Sequence, residues 1–417
     1  MPEALFEQKH MKSFDIPAFY RSPLISGIKE KRKKEDKLKK DFTPTVLDVG
    51  NFEIKMARHF GFCYGVENAI EIAFRTVQEN PNKRIFLLSE MIHNPQVNAD
   101  LMSYGVQFIM NTKGEMYINW ENLKQEDIVI IPAFGTTLET ENKLRQIGIN
   151  PLKYNTTCPF VEKVWNRSQQ IGNKGYTIII HGKPQHEETR ATFSHTSSHS
   201  PSIVVNDMHE AKKLALYLTQ QKEKSSFYEE FRGQYSTNFD IEKDFERIGV
   251  VNQTTMLASD TQEIADYLKN ELYIHYKLDD ASISTRFADT RDTLCYATND
   301  NQQAVKSLLN EQADLALVVG GFNSSNTSHL VELCESILPT FFIENDSNLI
   351  DKDTIKHFDL NTHQIKISTN IFPLNKKPSI LLTAGASCPD AVVENVIKKL
   401  IQLFQSNVSI EDLQNQF

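Results

Sequence analysis

Three of the five cysteines open the same kind of segment: a short polar or glycine-containing turn, the cysteine, then an amphipathic helical pattern. They are Cys63 in GFCYGVENAIEIAF, Cys158 in NTTCPFVEKVWNRSQQI and Cys295 in TLCYATNDNQQAVKSLL. Unpaired backbone N–H groups and the helix dipole lower the pKa of a thiol at a helix N-terminus, and the thiolate is a good ligand for a soft metal. Three equivalent thiolates predict a metal centre with one position left open. An iron-sulfur cluster closed by four cysteines usually carries electrons, whereas one lacking a protein ligand can bind substrate at its bare iron. The pattern therefore predicts redox chemistry on a bound molecule. Zinc is the main alternative, but structural zinc sites favour paired spacing such as C-x-x-C, and none of these cysteines has such a partner.

Other polar residues cluster where apolar stretches end. HGKPQHEET, His181 to Thr189, places two imidazoles and two carboxylates in one loop, groups that deliver protons or contact an anion near neutral pH. His93 in EMIHNPQV also follows an apolar stretch. GGFNSSNTSHL, Gly320 to Leu330, combines glycines with Asn323, Ser324, Ser325 and Asn326 at the start of a helical pattern, an arrangement that holds phosphate without much formal charge. TAGASCPD repeats the design with Ser387, and two such loops fit a diphosphate better than a single phosphate. Thr254 and Thr255 in NQTT read equally as helix caps. Cys334 reads as a packed core thiol, and Cys388 lacks the helix-opening pattern of the other three.

These loops must be positioned by the elements between them. Apolar, β-branched stretches at 84–90, 128–135, 176–183, 248–255, 315–321 and 379–385 alternate with helical patterns. Such strands imply parallel sheets covered on both faces, with ligands beyond their carboxyl ends. The expected fold class is thus α/β. A chain of 417 residues accommodates roughly two to four domains. The cysteine spacing suggests three lobes, 56–150, 151–283 and 284–400, after an N-terminal extension and linker over 1–55. The polar stretch near 220–246 reads as an insertion in the second lobe, and 401–417 as a tail packed on the surface.

No apolar run is long enough to span a bilayer, so no membrane association is expected. The opening MPEALFEQKHMKSFD has no apolar core of a secretory signal. With widely spaced cysteines, odd in number, this places the protein in a reducing cytoplasm. The net charge of −9 argues against nucleic-acid partners. The basic run from Lys29 to Lys40 is diluted by Glu30, Glu35 and Asp36 and reads as a solvated segment.

Taken in order, GFCYGV, HNPQV, TTCPFVEKVW, HGKPQHEET, NQTTM, CYATNDNQQAV, NSSN and TAGAS resemble the motifs of the 4-hydroxy-3-methylbut-2-enyl diphosphate reductases, the last enzymes of the non-mevalonate isoprenoid route. HGKxxHEET and PAFG look like the branch found in plants and cyanobacteria. The resemblance implies a three-lobed α/β trefoil around a 4Fe-4S cluster held by Cys63, Cys158 and Cys295, whose open iron takes the substrate hydroxyl. It implies loss of that hydroxyl with two electrons and two protons, giving isopentenyl and dimethylallyl diphosphates, with a ferredoxin or flavodoxin as donor. Glu188 would relay protons and Thr254 would lie near the hydroxymethyl group. His93, His186, Ser324, Ser325, Asn326 and Ser387 would hold the diphosphate. Choosing Glu188 over Glu187 rests on aligning HEE with the HPE of other members. The chain departs from many members at Phe134, where they carry a histidine, and at Asn301, where an arginine is common. An electron carrier or redox sensor without substrate chemistry is the reading from another class, and it calls for a fourth protein ligand such as Cys388.

Overall fold

The computed structural model describes residues 14–416 apart from 39, 289–292, 294 and 373–376. Residues 1–13 of the expected extension, Lys39 of the basic run and Phe417 of the expected tail lie outside the described residues. The described strands are β1 (Thr45–Asp48), β2 (Glu53–Met56), β3 (Ile85–Leu87), β4 (Gln107–Phe108), β5 (Ile128–Ile130), β6 (Thr177–His181), β7 (Ser202–Val205), β8 (Ile248–Asn252), β9 (Leu315–Val319), β10 (Thr340–Ile343), β11 (Thr354–Asp359), β12 (Gln364–Thr369) and β13 (Ser379–Ala384). They form three sheets, ordered β4-β3-β5, β7-β6-β8 and β1-β2-β13-β9-β10-β11-β12.

Each of the six apolar stretches contains a strand, and β3, β5, β6, β8, β9 and β13 are buried along their whole length. Continuous Val, Ile and Leu suit a strand covered on both faces. The two three-stranded sheets are parallel throughout. The seven-stranded sheet corrects the expectation of purely parallel pairing. Its centre is parallel, β2 with β13, β13 with β9 and β9 with β10, but β1–β2, β10–β11 and β11–β12 are antiparallel.

Within the expected extension and linker, residues 14–55 are joined to the seven-stranded sheet and its neighbours. β2 pairs with β13, placing Ile54 opposite Ile380. The helix Pro23–Glu35 is capped by Ser22, which accepts from the Ile25 N–H, and it sinks Leu24, Ile25 and Ile28 into the core shared by β2, β9 and β13. Within the basic run Lys33 and Lys34 are exposed, but Arg32 is buried and donates to the Ala57 and Arg58 carbonyls. Ile25→Ala is therefore expected to cost about 3 kcal/mol of stability by emptying a packed core site, against less than ~0.5 for Lys34→Ala, in chemical denaturation.

The polar stretch near 220–246 is anchored by aromatics. Phe227, Phe231, Phe239 and Phe245 are buried in the core under β7 and β8, and the Val204 N–H donates to the Gln234 carbonyl at 2.7 Å. The segment thereby covers the open edge of β7, which would otherwise expose unpaired backbone groups. The C-terminal helix Ile410–Gln414 buries Leu413 in the core of the seven-stranded sheet.

Each cysteine-led helix packs on a different sheet. Tyr64–Glu79 places Ala69, Ile70 and Ala73 against β3 and β5. Pro159–Gly172 places Val164 and Ile171 against β6 and β8. Tyr296–Leu308 places Ala304, Val305 and Leu308 against β9 and β13.

Candidate active site

Cys63, Cys158 and Cys295 are the N-cap residues of those three helices, each in extended conformation. Their backbones are tied to strand-end loops: the Cys63 N–H donates to the Ala386 carbonyl after β13 at 3.3 Å, and the Cys158 N–H to the Ala133 carbonyl after β5 at 2.9 Å. All three are free thiols, and their side chains lie within electrostatic reach of one another. A Cβ at Gly65 would stand 2.4 Å from Cys158 Sγ, so the first turn of one cysteine helix leaves room for the thiol of another. Among the described residues, no group of three or more His, Cys, Asp or Glu is gathered to hold a single metal ion.

The expectation of lowered thiol pKa values is corrected. Burial pushes Cys63 up to about 12, reinforced by Cys295 and opposed by the N–H groups of Val66 and Gly65. Burial likewise raises Cys158 and Cys295. Helix-terminal N–H groups favour the thiolate, but desolvation of three neighbouring sulfurs outweighs them. Cys334 and Cys388 belong to the apolar core, and the Cys388 thiol faces its neighbour's carbonyl, Pro389 O, at 3.7 Å.

Beside the sulfurs lies Glu188, 1% exposed, whose charge is felt at Cys295. Its Oε1 accepts from the Thr254 N–H at 2.5 Å and its Oε2 from Thr254 Oγ1 at 2.9 Å. Burial raises its pKa to about 7, against the lowering effect of the two Thr254 bonds. A carboxyl at that value holds a proton and can release it near neutrality. Thr255 instead accepts from Gln253 Nε2.

The diphosphate candidates come from four loops, those after β3, β6, β9 and β13. His186 caps the helix Glu187–Ser197, and its Nδ1 accepts from the Glu188 N–H at 3.2 Å. Burial holds its pKa well below the usual value, so the ring is neutral with its proton on Nε2, and that buried donor has no partner among the described residues. Asn326 Oδ1 accepts from the Ala386 N–H at 2.8 Å, leaving its buried Nδ2 likewise unpaired. Two buried unpaired N–H donors are costly unless something accepts from them. Ser324 caps the helix Ser325–Glu335, and Ser325 accepts from Gln253 Nε2 at 3.4 Å. Ser387 Oγ donates to the His93 carbonyl at 3.1 Å, while Asn94 Nδ2 donates to the Ser387 carbonyl at 2.9 Å. Thr327 Oγ1 lies 1.9 Å from where a Cβ on Gly385 would be, so only glycine lets the two phosphate-type loops approach. Asn323 points elsewhere, to Glu90.

His93 is buried with its ring 4.3 Å from that of Phe134 and 5.1 Å from that of His186. Phe134 thus fills one side of the imidazole pair. Asn301 is buried with its Nδ2 unpaired.

Gln253 was missed in the sequence, and Glu187 was set aside there in favour of Glu188. Gln253 joins four partners, accepting from the Lys183 N–H and Thr189 Oγ1 and donating to Thr255 and Ser325. Its place directly after β8 was the available signal. Glu187 separates from Glu188 completely, accepting from Ser89 and lying 3.1 Å from His93 Nε2.

A family model described as LytB protein matches residues 54–401. A protein of Prochlorococcus marinus (strain MIT 9313), named 4-hydroxy-3-methylbut-2-enyl diphosphate reductase, is 40% identical over 92% of this chain and 91% of its own length. One of the same name from strain MIT 9211 is 36% identical over 97% of this chain and 95% of its own. The solved structure of an E-1-hydroxy-2-methyl-but-2-enyl-4-diphosphate reductase from Plasmodium falciparum shares the fold, with a TM-score of 0.60 at 21% identity over 84% of this chain and 87% of that one. The chain belongs to the LytB family, the family of the reductases just named, and is an oxidoreductase.

Proposed function

We propose that the chain removes the allylic hydroxyl of 4-hydroxy-3-methylbut-2-enyl diphosphate, consuming two electrons and two protons and releasing water with isopentenyl and dimethylallyl diphosphates. The observation that carries this reading is the meeting of three free thiols, each at least partly buried and one from a helix on each sheet, with a buried carboxyl whose pKa is raised to about 7. In this reading the three sheets are lobes of a trefoil, and Cys63, Cys158 and Cys295 hold a 4Fe-4S cluster with one iron free of protein ligand. When bound, such a cluster supplies electrons and a Lewis-acidic position for the leaving oxygen.

The residues present fit that group. Their sulfurs come from separate backbones, helix N–H groups stabilise negative charge on them, and Gly65 leaves space beside Cys158. Gly65→Ala is expected to displace the Cys158 thiol and lower the iron and sulfide retained per purified chain, while Cys388→Ser leaves both unchanged. A carrier closed by a fourth thiolate finds no support, because Cys388 sits in the apolar core.

Glu188 gives its proton to the hydroxyl so that it departs as water, and Thr254 fixes the direction of that carboxyl through both oxygens. The unpaired donors of His186 and Asn326, with His93, Ser324, Ser325 and Ser387, receive the diphosphate. Its binding energy then positions the reacting carbon and oxygen. Neutral donors and a helix terminus suffice for the anion, which is how an acidic protein holds it. The electrons come from a small ferredoxin or flavodoxin, and the free thiols suit a reducing cytoplasm. Among the described residues no helix is long and apolar enough to cross a membrane.

The test is spectroscopic. Anaerobically reconstituted protein should bind four iron and four sulfide, and adding the substrate diphosphate should perturb the electron paramagnetic resonance of the reduced protein. A spectrum indifferent to the diphosphate favours a carrier.

A further inference from the structure

Glu188, His93, Ser324 and Ser387, which meet the substrate in the reading above, are all buried. The residue directly after each cysteine, by contrast, faces solvent. Tyr64 and Tyr296 are 47% and 59% exposed, and Pro159 is exposed as well. Cys63 and Cys158 are themselves only partly buried. These exposed residues border one centre. The Tyr296 ring meets that of Phe160, the second residue of the Cys158 helix, edge-on with centroids 5.9 Å apart, and Gly65, next to Tyr64, abuts the Cys158 thiol. The thiols thus lie directly beneath a surface whose most exposed members are aromatic.

Positive charge surrounds it, on a chain whose net charge is −9. Lys163 Nζ lies 5.2 Å from the centre of the Tyr296 ring. Arg21 is exposed and donates to the carbonyl of Phe14, whose ring packs edge-on against Tyr64. Lys29 lies over the ring of Phe60, three residues before Cys63, and pairs with Asp390. Lys33, one turn further along the same helix face, is exposed. The basic run therefore begins beside the Cys63 loop. Glu67 and Glu162, in the first turns of two of the cysteine helices, are partly buried, so the charges nearest solvent are the cations. Exposed aromatics within a polar, charged rim have the composition of a protein-binding patch, and its charge steers a partner of opposite sign.

We propose that the surface formed by Tyr64 and Tyr296, with Arg21, Lys33 and Lys163 around it, docks the electron donor, and that this donor is a small acidic protein carrying one electron. The inference rests on the reading of the three thiols as ligands of a redox centre, and adds where the donor binds and what charge it bears. Two reduced carriers dock in turn, and each leaves oxidised by one electron. With that electron pair the carbon–oxygen bond breaks; one proton leaves with the hydroxyl as water and the other joins the reduced carbon fragment. A transient encounter of this kind needs only a small patch, with less than about 1,200 Å² buried in total.

Titration calorimetry of the full-length, cluster-loaded protein with an acidic plant-type ferredoxin tests it. Wild type is compared with a Lys33→Glu/Lys163→Glu double variant and with Lys269→Glu, which reverses an exposed charge on the helix Ala258–His275. At about 10 mM salt the double variant is expected to bind at least ~10-fold more weakly, the scale of electrostatic steering, and the deficit should narrow at about 300 mM as salt screens the charges. Lys269→Glu should stay within about 2-fold of wild type, as for a charge remote from the contact. In turnover, the double variant raises KM for ferredoxin, while its iron content and its rate with a small chemical reductant stay at the wild-type level. Equal affinity of the double variant and wild type at low salt overturns the inference. So does an equal loss in Lys269→Glu, which would trace the effect to net charge alone, and so does failure of the wild type to bind ferredoxin. A wild type that binds ferredoxin yet forms no product with either reductant would instead overturn the reaction on which the inference rests.

Discussion

Glu188→Gln is expected to lower kcat by about 10²- to 10⁴-fold, the usual contribution of a positioned general acid, while iron content and diphosphate affinity stay near wild type. Glutamine keeps the shape of the side chain and can still accept from Thr254 through its carbonyl, so the site remains assembled. What it lacks is a transferable proton. The pH dependence follows from the pKa of about 7, which burial raises from the ordinary carboxylate range. In the proposed role the protonated form is the active one, so turnover is expected to be highest below about pH 7 and to fall as pH rises above it. In Glu188→Gln that descending limb disappears from the residual rate. Steady-state kinetics across pH 5.5 to 8.5 read both effects. Retention of both wild-type turnover and the limb would remove Glu188 from the chemistry.

Replacing Cys63, Cys158 or Cys295 by Ser is expected to abolish activity and cluster content together, whereas Cys334→Ser and Cys388→Ser leave both near wild type. The contrast is informative because all five thiols are free and at least partly buried, so burial alone does not separate them. Position does: three cap helices on different sheets, and two pack in one apolar core. Because burial raises the thiol pKa values, ligation must displace protons. Cluster assembly at limiting iron should therefore be more complete at pH 8 than at pH 6. Iron and sulfide analysis with absorbance spectra checks these outcomes.

Much of the framework was legible because it depends on local pattern. Strands such as β6, reading Thr177-Ile-Ile-Ile-His181, are apolar on both faces, and that signal survives without tertiary context. The cysteine N-caps were legible for the same reason. The hairpin β11–β12 was not, since Ile365 and Ile367 are exposed and alternate with polar residues. β1 and β2 are four residues each, and β2 owes its place to pairing with β13, far away in sequence. Counting aliphatics in 220–246 overlooked the phenylalanines that anchor it. The thiol pKa values ran opposite to expectation because the N-cap effect is local and visible, whereas desolvation is collective. The surroundings of Glu187 were not legible because its partners, Ser89 and His93, come from another sheet's loop.

The central claim is the reaction, and product analysis tests it most directly. Anaerobically purified, cluster-loaded protein would be mixed with 4-hydroxy-3-methylbut-2-enyl diphosphate and a low-potential chemical reductant, and the five-carbon products separated and identified. The account predicts isopentenyl and dimethylallyl diphosphates together, formed at one product per two electrons. Unchanged substrate in the presence of an intact, reducible cluster would contradict it.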